Sequence, residues 1–325
     1  MKKNLRNLML AGAAALLATG ASAQTLEKVW EKNSGIPGAA GGGDMRFMTC
    51  DKDGKILVTD KAAKKIKTFN ALFGAQDYLD IAPIIDEHYG VDNVSVDSAG
   101  VETVTRTAPG AGTLIASDDA GNILINTDFP NAGSATNFII IDAKLKNTYK
   151  LQITMPEGMT AARCDNMGRI VGNMLSEEGA YMWICNNNDK VAIVKVVNGE
   201  QDMEYSQAST ACAVAVNTSC VAQPVYNTVA EIDALMEDLG DLTTSYWFRN
   251  RSYSQNVYQW NEDGTEQTAI ALTEATEAGS TTKNASQEGF EVFTLQGETY
   301  FVVPMTTDGT TNGRGSNWGI YRASD

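Results

Sequence analysis

The chain has 325 residues, with 25 Lys and Arg against 40 Asp and Glu, so its formal net charge is −15 at pH 7. A protein this acidic repels phosphate backbones and anionic lipids, which argues against nucleic-acid and membrane-surface partners. A chain of about 300 residues suffices for one large core or two smaller ones.

The N-terminus has the features of a secretory signal. A basic start and an apolar stretch over residues 8–17 precede Ala21-Ser22-Ala23 and then Gln24. This order predicts a signal peptide, residues 1–23, cleaved after Ala23, and therefore a periplasmic or extracellular protein. The apolar stretch is shorter than the roughly 20 residues that a membrane span needs. We expect residues 24–325 to form a single domain.

Five times along the chain, one short apolar run is followed by a polar loop and a second apolar run. A unit of two or three strands cannot cover both of its faces, so it needs copies beside it, and a ring of blades supplies them. The repeat predicts an all-β fold, a β-propeller of five to seven blades. The paired runs are residues 56–59 with 66–69, 123–125 with 138–141, 170–171 with 181–185, 246–248 with 257–260, and 300–303 with 318–321.

Four turns share the spacing Asp-x-x-Gly. In a tight hairpin the Asp side chain accepts a backbone N–H two residues on, and Gly adopts the positive φ that other residues resist. We therefore predict four equivalent turns that join neighbouring strands. They begin at Asp51, Asp97, Asp118 and Asp165 and end at Gly54, Gly100, Gly121 and Gly168.

Two segments interrupt the repeat. Residues 74–112 form an insertion with room for another blade, and this insertion holds His88, the single histidine of the chain. Residues 227–241 have apolar side chains at helical spacing with acids between them. They predict one short amphipathic helix, ended by Gly240, on the outside of the ring or over one mouth.

The two ends of the chain suggest how the ring closes. Residues 26–31 read as a lone strand, whereas the last copy stops after its third strand, residues 318–323. A ring that opened between whole blades would leave bare strand edges, which invite aggregation. We expect the N-terminal strand to pair with the last blade.

Two segments carry a resemblance to a known family. Residues 117–124, Ser-Asp-Asp-Ala-Gly-Asn-Ile-Leu, and residues 256–261, Asn-Val-Tyr-Gln-Trp-Asn, resemble blades of uncharacterised secreted β-propellers of Bacteroidetes. The resemblance covers turn and core positions. It implies the fold and the location, and no catalytic residue.

The cysteines give little support to metal or redox chemistry. Five remain after the signal peptide, an odd number, and no Cys-x-x-Cys is present. Cys50 and Cys164 occupy equivalent places before an Asp-x-x-Gly turn, which suggests small core residues. A disulfide between Cys212 and Cys220 stays open.

No catalytic or metal-binding residues can be assigned. An EF-hand starting at Asp51 would need Glu where Ala62 stands. His88 has no Gly-x-Ser-x-Gly elbow to accompany it, so a Ser-His-Asp triad has no support. We predict no cofactor, although a calcium ion held in the central channel by oxygens from several blades stays open.

Aromatic side chains near Arg, Asn and Gln are typical of surfaces that bind sugars. For Trp247 and Trp260 we favour packing in the core, because half the side chains of a strand point inward. The predicted contacts are residues in or beside long loops. They are Arg249, Arg251, Tyr253 and Arg314.

The first hypothesis for function is a non-catalytic secreted propeller that binds a glycan, peptide or protein partner through loops at one mouth of the ring. A second is a carbohydrate-active or lactone-hydrolysing enzyme with carboxylates or calcium in the channel. A third is a scaffold protein of the cell envelope. The sequence leaves the ligand and the oligomeric state open.

Overall fold

The computed structural model describes residues 48–70, 74–127, 135–155, 157, 166–185, 190–210, 220–250, 256–260, 267–271, 291–295, 298–305 and 317–322. Within these residues the chain forms 22 β-strands, two α-helices and one 3-10 helix. The strand pairs are antiparallel. The predicted all-β class is confirmed. The chain divides into two compact units, Met1–Asn131 with Asn137–Gln152 and Ala132–Thr136 with Ile153–Asp325.

The first unit contains two four-stranded sheets, a helix and a hairpin. The sheets have the orders β1-β2-β3-β4 and β10-β9-β8-β7, and β5 and β6 form a separate two-stranded sheet. Strand β10 extends beyond the end of the unit. The elements are β1 (Thr49–Cys50), β2 (Ile56–Asp60), β3 (Lys65–Asn70), β4 (Gly74–Asp80), α1 (Ala82–Tyr89), β5 (Val91–Val96), β6 (Glu102–Thr107), β7 (Ala111–Ser117), β8 (Ile123–Thr127), β9 (Ala135–Ile141) and β10 (Thr148–Thr154).

One hydrophobic cluster joins both large sheets of the first unit to helix α1. Alternate side chains of each strand point to the same face, so each sheet presents an apolar row to the helix. Ile81, which precedes the helix, and Ile85 within it are both fully buried in this cluster. The strand residues of the cluster are Leu57, Ile66, Ala111, Ile115, Ile123, Ile125, Ile139 and Ile141.

The second unit contains three sheets. The first has the order β11-β13-β14-β15, with β12 also paired to β13; the others have the orders β16-β17-β18-β19 and β20-β21-β22. The elements are β11 (Asn166–Met167), β12 (Val171–Gly172), β13 (Ala180–Cys185), β14 (Lys190–Val197), β15 (Glu200–Thr210), β16 (Cys220–Pro224), α2 (Val229–Leu239), a 3-10 turn (Thr243–Ser245), β17 (Tyr246–Asn250), β18 (Asn256–Trp260), β19 (Gln267–Ala271), β20 (Glu291–Leu295), β21 (Glu298–Met305) and β22 (Asn317–Arg322).

Helix α2 confirms the predicted helix and shows why it forms there. Thr228 accepts a hydrogen bond from the Glu231 N–H at its N-terminus, and the Glu231 carboxylate accepts from the Thr228 N–H in return. The bond from the Thr228 hydroxyl lowers the pKa of Glu231. Gly240 ends the helix at φ 63°. Val229 and Ile232 are buried in a cluster with two sheets, so the helix is part of this unit's core.

All five predicted strand pairings are confirmed. Thr59 pairs with Ile66, Ile125 with Ile139, Val171 with Tyr181, Phe248 with Tyr258, and Phe301 with Tyr321. Apolar runs at this spacing fixed the register because a shift of one residue would turn each buried face outward.

The insertion at residues 74–112 does not contain a further four-stranded sheet. Its first strand, β4, completes the first sheet of the unit by pairing with β3. The helix α1 and the β5–β6 hairpin follow, and the next sheet then starts at β7. The prediction of a single inserted helix is therefore wrong, because α1 is a second one. The acids around His88 therefore belong to a helix and not to a strand.

Three of the four predicted turns share one geometry. In the turns at Asp51, Asp97 and Asp118 the carboxylate accepts the N–H groups two and four residues on, at 2.8–3.0 Å. Their glycines have φ between 78° and 85°. Asp165 lies outside the described residues, and the prediction for Gly168 is wrong.

Gly168 lies beside strand β11 without a positive φ. A Cβ atom there would stand 2.1 Å from the Ala222 carbonyl oxygen, so the backbones of two strands pass too closely for any side chain. The same turn recurs instead at Asp142, where Leu145 takes the left-handed position at φ 58°. Sequence spacing missed this turn because it ends in a residue other than Gly.

Several predictions lie outside the described residues. They are the signal peptide, the closing strand at residues 26–31, Cys164 and the region between Cys212 and Cys220. Cys50 is half-buried, and Cys185 is fully buried in the core of the second unit. Neither described helix has the length and apolar content to cross a bilayer.

Substitution of two turn glycines separates backbone strain from close packing. We expect Gly121→Ala to lower the free energy of unfolding by more than about 2 kcal/mol, because its φ is 85° and its Cβ would stand 2.8 Å from Lys52 Cβ. Gly100→Ala has the same strain, at φ 78°, but no atom within 4 Å, so its loss should be only the roughly 1–2 kcal/mol of backbone strain. Denaturant titration measures both, and equal losses would contradict the role of the Lys52 contact.

Candidate functional site

The structure describes one of the four predicted contact residues. Arg249 lies within strand β17, opposite Val221 on β16, and only 1 % of it is exposed. It is therefore a packed residue of the sheet and not a loop residue that offers its guanidinium to a ligand. Arg251, Tyr253 and Arg314 lie outside the described residues and stay predictions.

The two tryptophans predicted to pack in the core are half-buried and contact other aromatic side chains. The ring of Trp247 meets Phe301 edge-on at 5.2 Å between centroids. The ring of Trp260 lies 5.9 Å from Phe248, and its Nε1 donates to the Tyr246 hydroxyl at 3.3 Å. Aromatic pairs in this range stabilise a core beyond the burial of their surface. The Trp247 contact joins two sheets of the second unit, whereas Trp260 packs against β17 within its own sheet.

The described hydrogen bond of His88 has a structural role. Its Nε2 lies 2.7 Å from the Thr148 hydroxyl oxygen, which ties helix α1 to strand β10. Among the residues that the structure describes, no group of three or more His, Cys, Asp or Glu side chains is placed to hold a metal ion. The prediction of a calcium ion in a central channel stays untested.

A buried polar cluster connects helix α2 to the first sheet of the second unit. Asp233 Oδ1 accepts hydrogen bonds from the Tyr181 hydroxyl at 2.7 Å and from Lys195 Nζ at 2.6 Å. The ammonium group also lies 4.3 Å from the ring centroid of Tyr205. Burial and the bond to Asp233 raise the pKa of Tyr181, so its phenol keeps its proton and is no general base. The cluster anchors the helix.

The β5–β6 hairpin is the described feature best suited to binding. Every residue of both strands is exposed. Five valines, Val91, Val94, Val96, Val101 and Val104, are 57–62 % exposed. Val94 lies opposite Val104, and Val96 is two residues from Val94, so these three side chains share one face near the tip. Isolated surface valines are ordinary, whereas three on one face of an exposed ribbon make this hairpin a candidate interaction surface.

An ion-pair network fixes the base of the hairpin. Arg106 Nε donates to both carboxylate oxygens of Asp86 on helix α1, at 2.9 and 3.0 Å. Its Nη1 donates to Asp92 across the hairpin at 3.1 Å, and its Nη2 to the Asp86 carbonyl at 2.7 Å. These hydrogen bonds raise the pKa of Arg106. A planar guanidinium with this many partners orients the ribbon relative to the helix.

The opposite face of the hairpin is polar. Asn93, Ser95, Thr103, Thr105 and Thr107 alternate with the residues of the apolar face along the two strands. Asn93 Nδ2 donates to the Thr107 hydroxyl at 2.8 Å. The face that carries Val94, Val96 and Val104 also carries Asp92, Glu102 and Arg106, and Val91 lies on the polar face. The three valines therefore form a small exposed apolar patch between charged side chains, and no neighbour among the described residues covers it. Sequence reasoning identified its turn at Asp97 but not its exposure, since alternating valines usually indicate a buried face.

Comparison with known proteins adds little to this geometry. Family models and curated protein sequences give no match. Among solved structures, the chain is similar to one titled a streptogramin B lyase structure. The likeness covers 86 % of this chain and 82 % of that one, with 12 % sequence identity and a TM-score of 0.36. A score this low carries no conclusion about fold or activity.

Removing the charge of Asp233 tests the role of the polar cluster. We expect Asp233→Asn to lower the free energy of unfolding by about 2 kcal/mol, because Lys195, with 8 % of its side chain exposed, loses its counter-charge. The 28 % exposure of Asp233 keeps the loss below that of a fully enclosed pair.

Asp238→Asn is the matched control. It makes the same chemical change at an exposed position near the C-terminus of the same helix, where removing a negative charge favours the helix dipole. Thermal and denaturant unfolding should show a loss for Asp233→Asn and none for Asp238→Asn. Equal effects would mean that the cluster does not anchor α2.

Proposed function

We propose that this chain is an exported, non-catalytic β-propeller that binds a protein partner, and that the β5–β6 hairpin is part of its binding surface. In this proposal the five sheets are blades within a ring of five to seven. Residues 26–31 close the ring beside the last blade. Arg251, Tyr253 and Arg314 remain the predicted contacts for a glycan, peptide or protein ligand at one mouth.

The pattern of the sheets supports the propeller. Four of the five pair their strands mainly in the order of the sequence, as blades do, and the fifth, β11–β15, departs from this order only at β12. The last sheet has three described strands, which leaves a place for a strand from elsewhere in the chain. The basic, apolar and small-residue order of residues 1–23 supports export.

The exposed hairpin is the observation that carries the binding role. A two-stranded ribbon is marginally stable on its own in water, and its stability rises when further strands or an apolar surface cover it. This hairpin is formed and held at its base by Arg106, yet its valines are exposed. Such a ribbon is explained by a protein partner, whose apolar surface would cover the valines or whose strand edge would extend the sheet.

Photo-cross-linking in the producing cells tests the binding role. A benzophenone amino acid placed at Val94 should give a discrete protein adduct, and the same group at Tyr149, an exposed position on β10, should not. Replacing Val96 and Val104 by Thr should remove the adduct, because the apolar patch is lost. An adduct of equal yield at both positions, or at neither, would overturn the role of the hairpin.

Export has its own test. The protein recovered from outside the cytoplasm should begin at Gln24, which N-terminal sequencing and intact-mass measurement determine. Changing Ala23 to a bulky residue such as Phe should block cleavage and leave the longer chain. A cytoplasmic protein that still starts at Met1 would contradict the proposal.

A further inference from the structure

We infer that the partner of the hairpin is a second copy of this chain, and that the two copies join strand β6 to strand β6 antiparallel about a two-fold axis. This inference rests on the proposed binding role of the hairpin and names its partner. Three observations carry it: the free backbone edge of β6, the order of charges along that strand, and the exposed valines beside it.

The outer edge of β6 offers backbone hydrogen bonds. Among the described strands, β6 pairs only with β5. The Asp97 N–H donates to the Val101 carbonyl at 3.0 Å, so Val101 directs its backbone groups toward β5. Because this direction alternates along an antiparallel strand, the N–H and C=O groups of Glu102, Val104 and Arg106 point away from β5. These groups can therefore receive another strand.

The side chains of β6 are complementary to themselves. If Val104 lies on the two-fold axis, it faces Val104 of the second copy, and Glu102 faces Arg106 of the second copy. The symmetry repeats the charge pair on the other side, as an isologous interface requires. The two strands would form about six backbone hydrogen bonds, and opposite charges on facing residues add to their stability. Arg106 would then lie between Asp92 of its own chain and Glu102 of the other.

The edge of β5 lacks this complementarity. Its outward-facing backbone groups belong to Asp92, Val94 and Val96, by the same alternation. An antiparallel pair centred on Val94 would place the carboxylate of Asp92 against Val96 of the second copy. Asp92 would then face an apolar side chain and not an opposite charge, so this pairing lacks the electrostatic attraction of the β6 pairing. The inference therefore commits to β6.

Pairing through β6 would also bring the exposed valines of the two copies side by side. The two hairpins together make a four-stranded sheet, and a row of four valines crosses its centre, formed by Val94 and Val104 of each copy. In the dimer each hairpin would belong to a larger sheet, which is more stable than a lone two-stranded ribbon. The edges are short, so we expect a weak dimer with a dissociation constant in the range of about 1–100 µM.

A pair of cysteine variants tests the register. Directly facing residues of a hydrogen-bonded pair have Cα atoms about 5.5 Å apart, which a disulfide can bridge. Under mild oxidation Val104→Cys should give a disulfide-linked dimer. Val94→Cys is the control, because Val94 is 61 % exposed against 62 % for Val104 and lies directly opposite it in the hairpin. In the proposed dimer the two Val94 positions are three strand spacings apart, about 14 Å. Equal linkage of both variants would overturn the register.

A charge variant tests the dimer without cysteines. Glu102→Lys places like charges opposite each other twice and should weaken dimerisation about tenfold or more in sedimentation equilibrium. Glu178→Lys makes the same change at an exposed position in the second unit and should leave the dissociation constant unchanged. Circular dichroism and unfolding curves of both variants check that each one folds.

The outcomes separate this inference from the binding role of the hairpin. A protein that stays monomeric at 200 µM, or a dimer equally stable with Glu102→Lys, overturns the second copy as partner. If the cross-link at Val94 then joins a different protein or residues 26–31 of the same chain, the self-pairing is wrong. A different protein as partner would leave the binding role of the hairpin intact. The absence of any specific cross-link would contradict both the self-pairing and the binding role.

Discussion

Short antiparallel sheets must cover their apolar faces, and this constraint shapes both units of the protein. A sheet of four strands with about five residues each cannot do so alone. In each unit two sheets and one helix share a single cluster, in which Ile85 of α1 and Ile232 of α2 are fully buried. The helices are thus structural parts of the cores. Their polar contacts, such as the bond of Asp233 to Tyr181, fix the helix on the sheet.

The same constraint applies to the β5–β6 hairpin. Its valines alternate as the residues of the core strands do, and its turn at Asp97 has the same hydrogen bonds as those at Asp51 and Asp118. It differs only in lacking a neighbour within the described chain that covers it. A ribbon built like the core but left exposed is more readily explained by a partner than by chance.

Local signals in the sequence predicted much of the secondary structure but not helix α1. The five strand pairs followed from apolar runs at matched spacing, and α2 followed from its helical spacing and from Gly240. The turn geometry at Asp97 followed from the needs of Asp and Gly. The two errors in the turns have one cause, since spacing alone cannot distinguish Gly168, which permits a close backbone contact, from a glycine with positive φ. Leu145 occupies such a φ without glycine.

The sequence by itself determined the all-β class, the strand pairs, the helix α2 and three of the turns, because these depend on residues close together in the chain. Only the tertiary structure decided which faces are covered. It buried Arg249, which the sequence placed in or beside a loop, and left Val94 and Val104 exposed. The physical reason is that alternation along a strand is the same for a buried face and an exposed one, whereas burial depends on elements distant in sequence that pack against it.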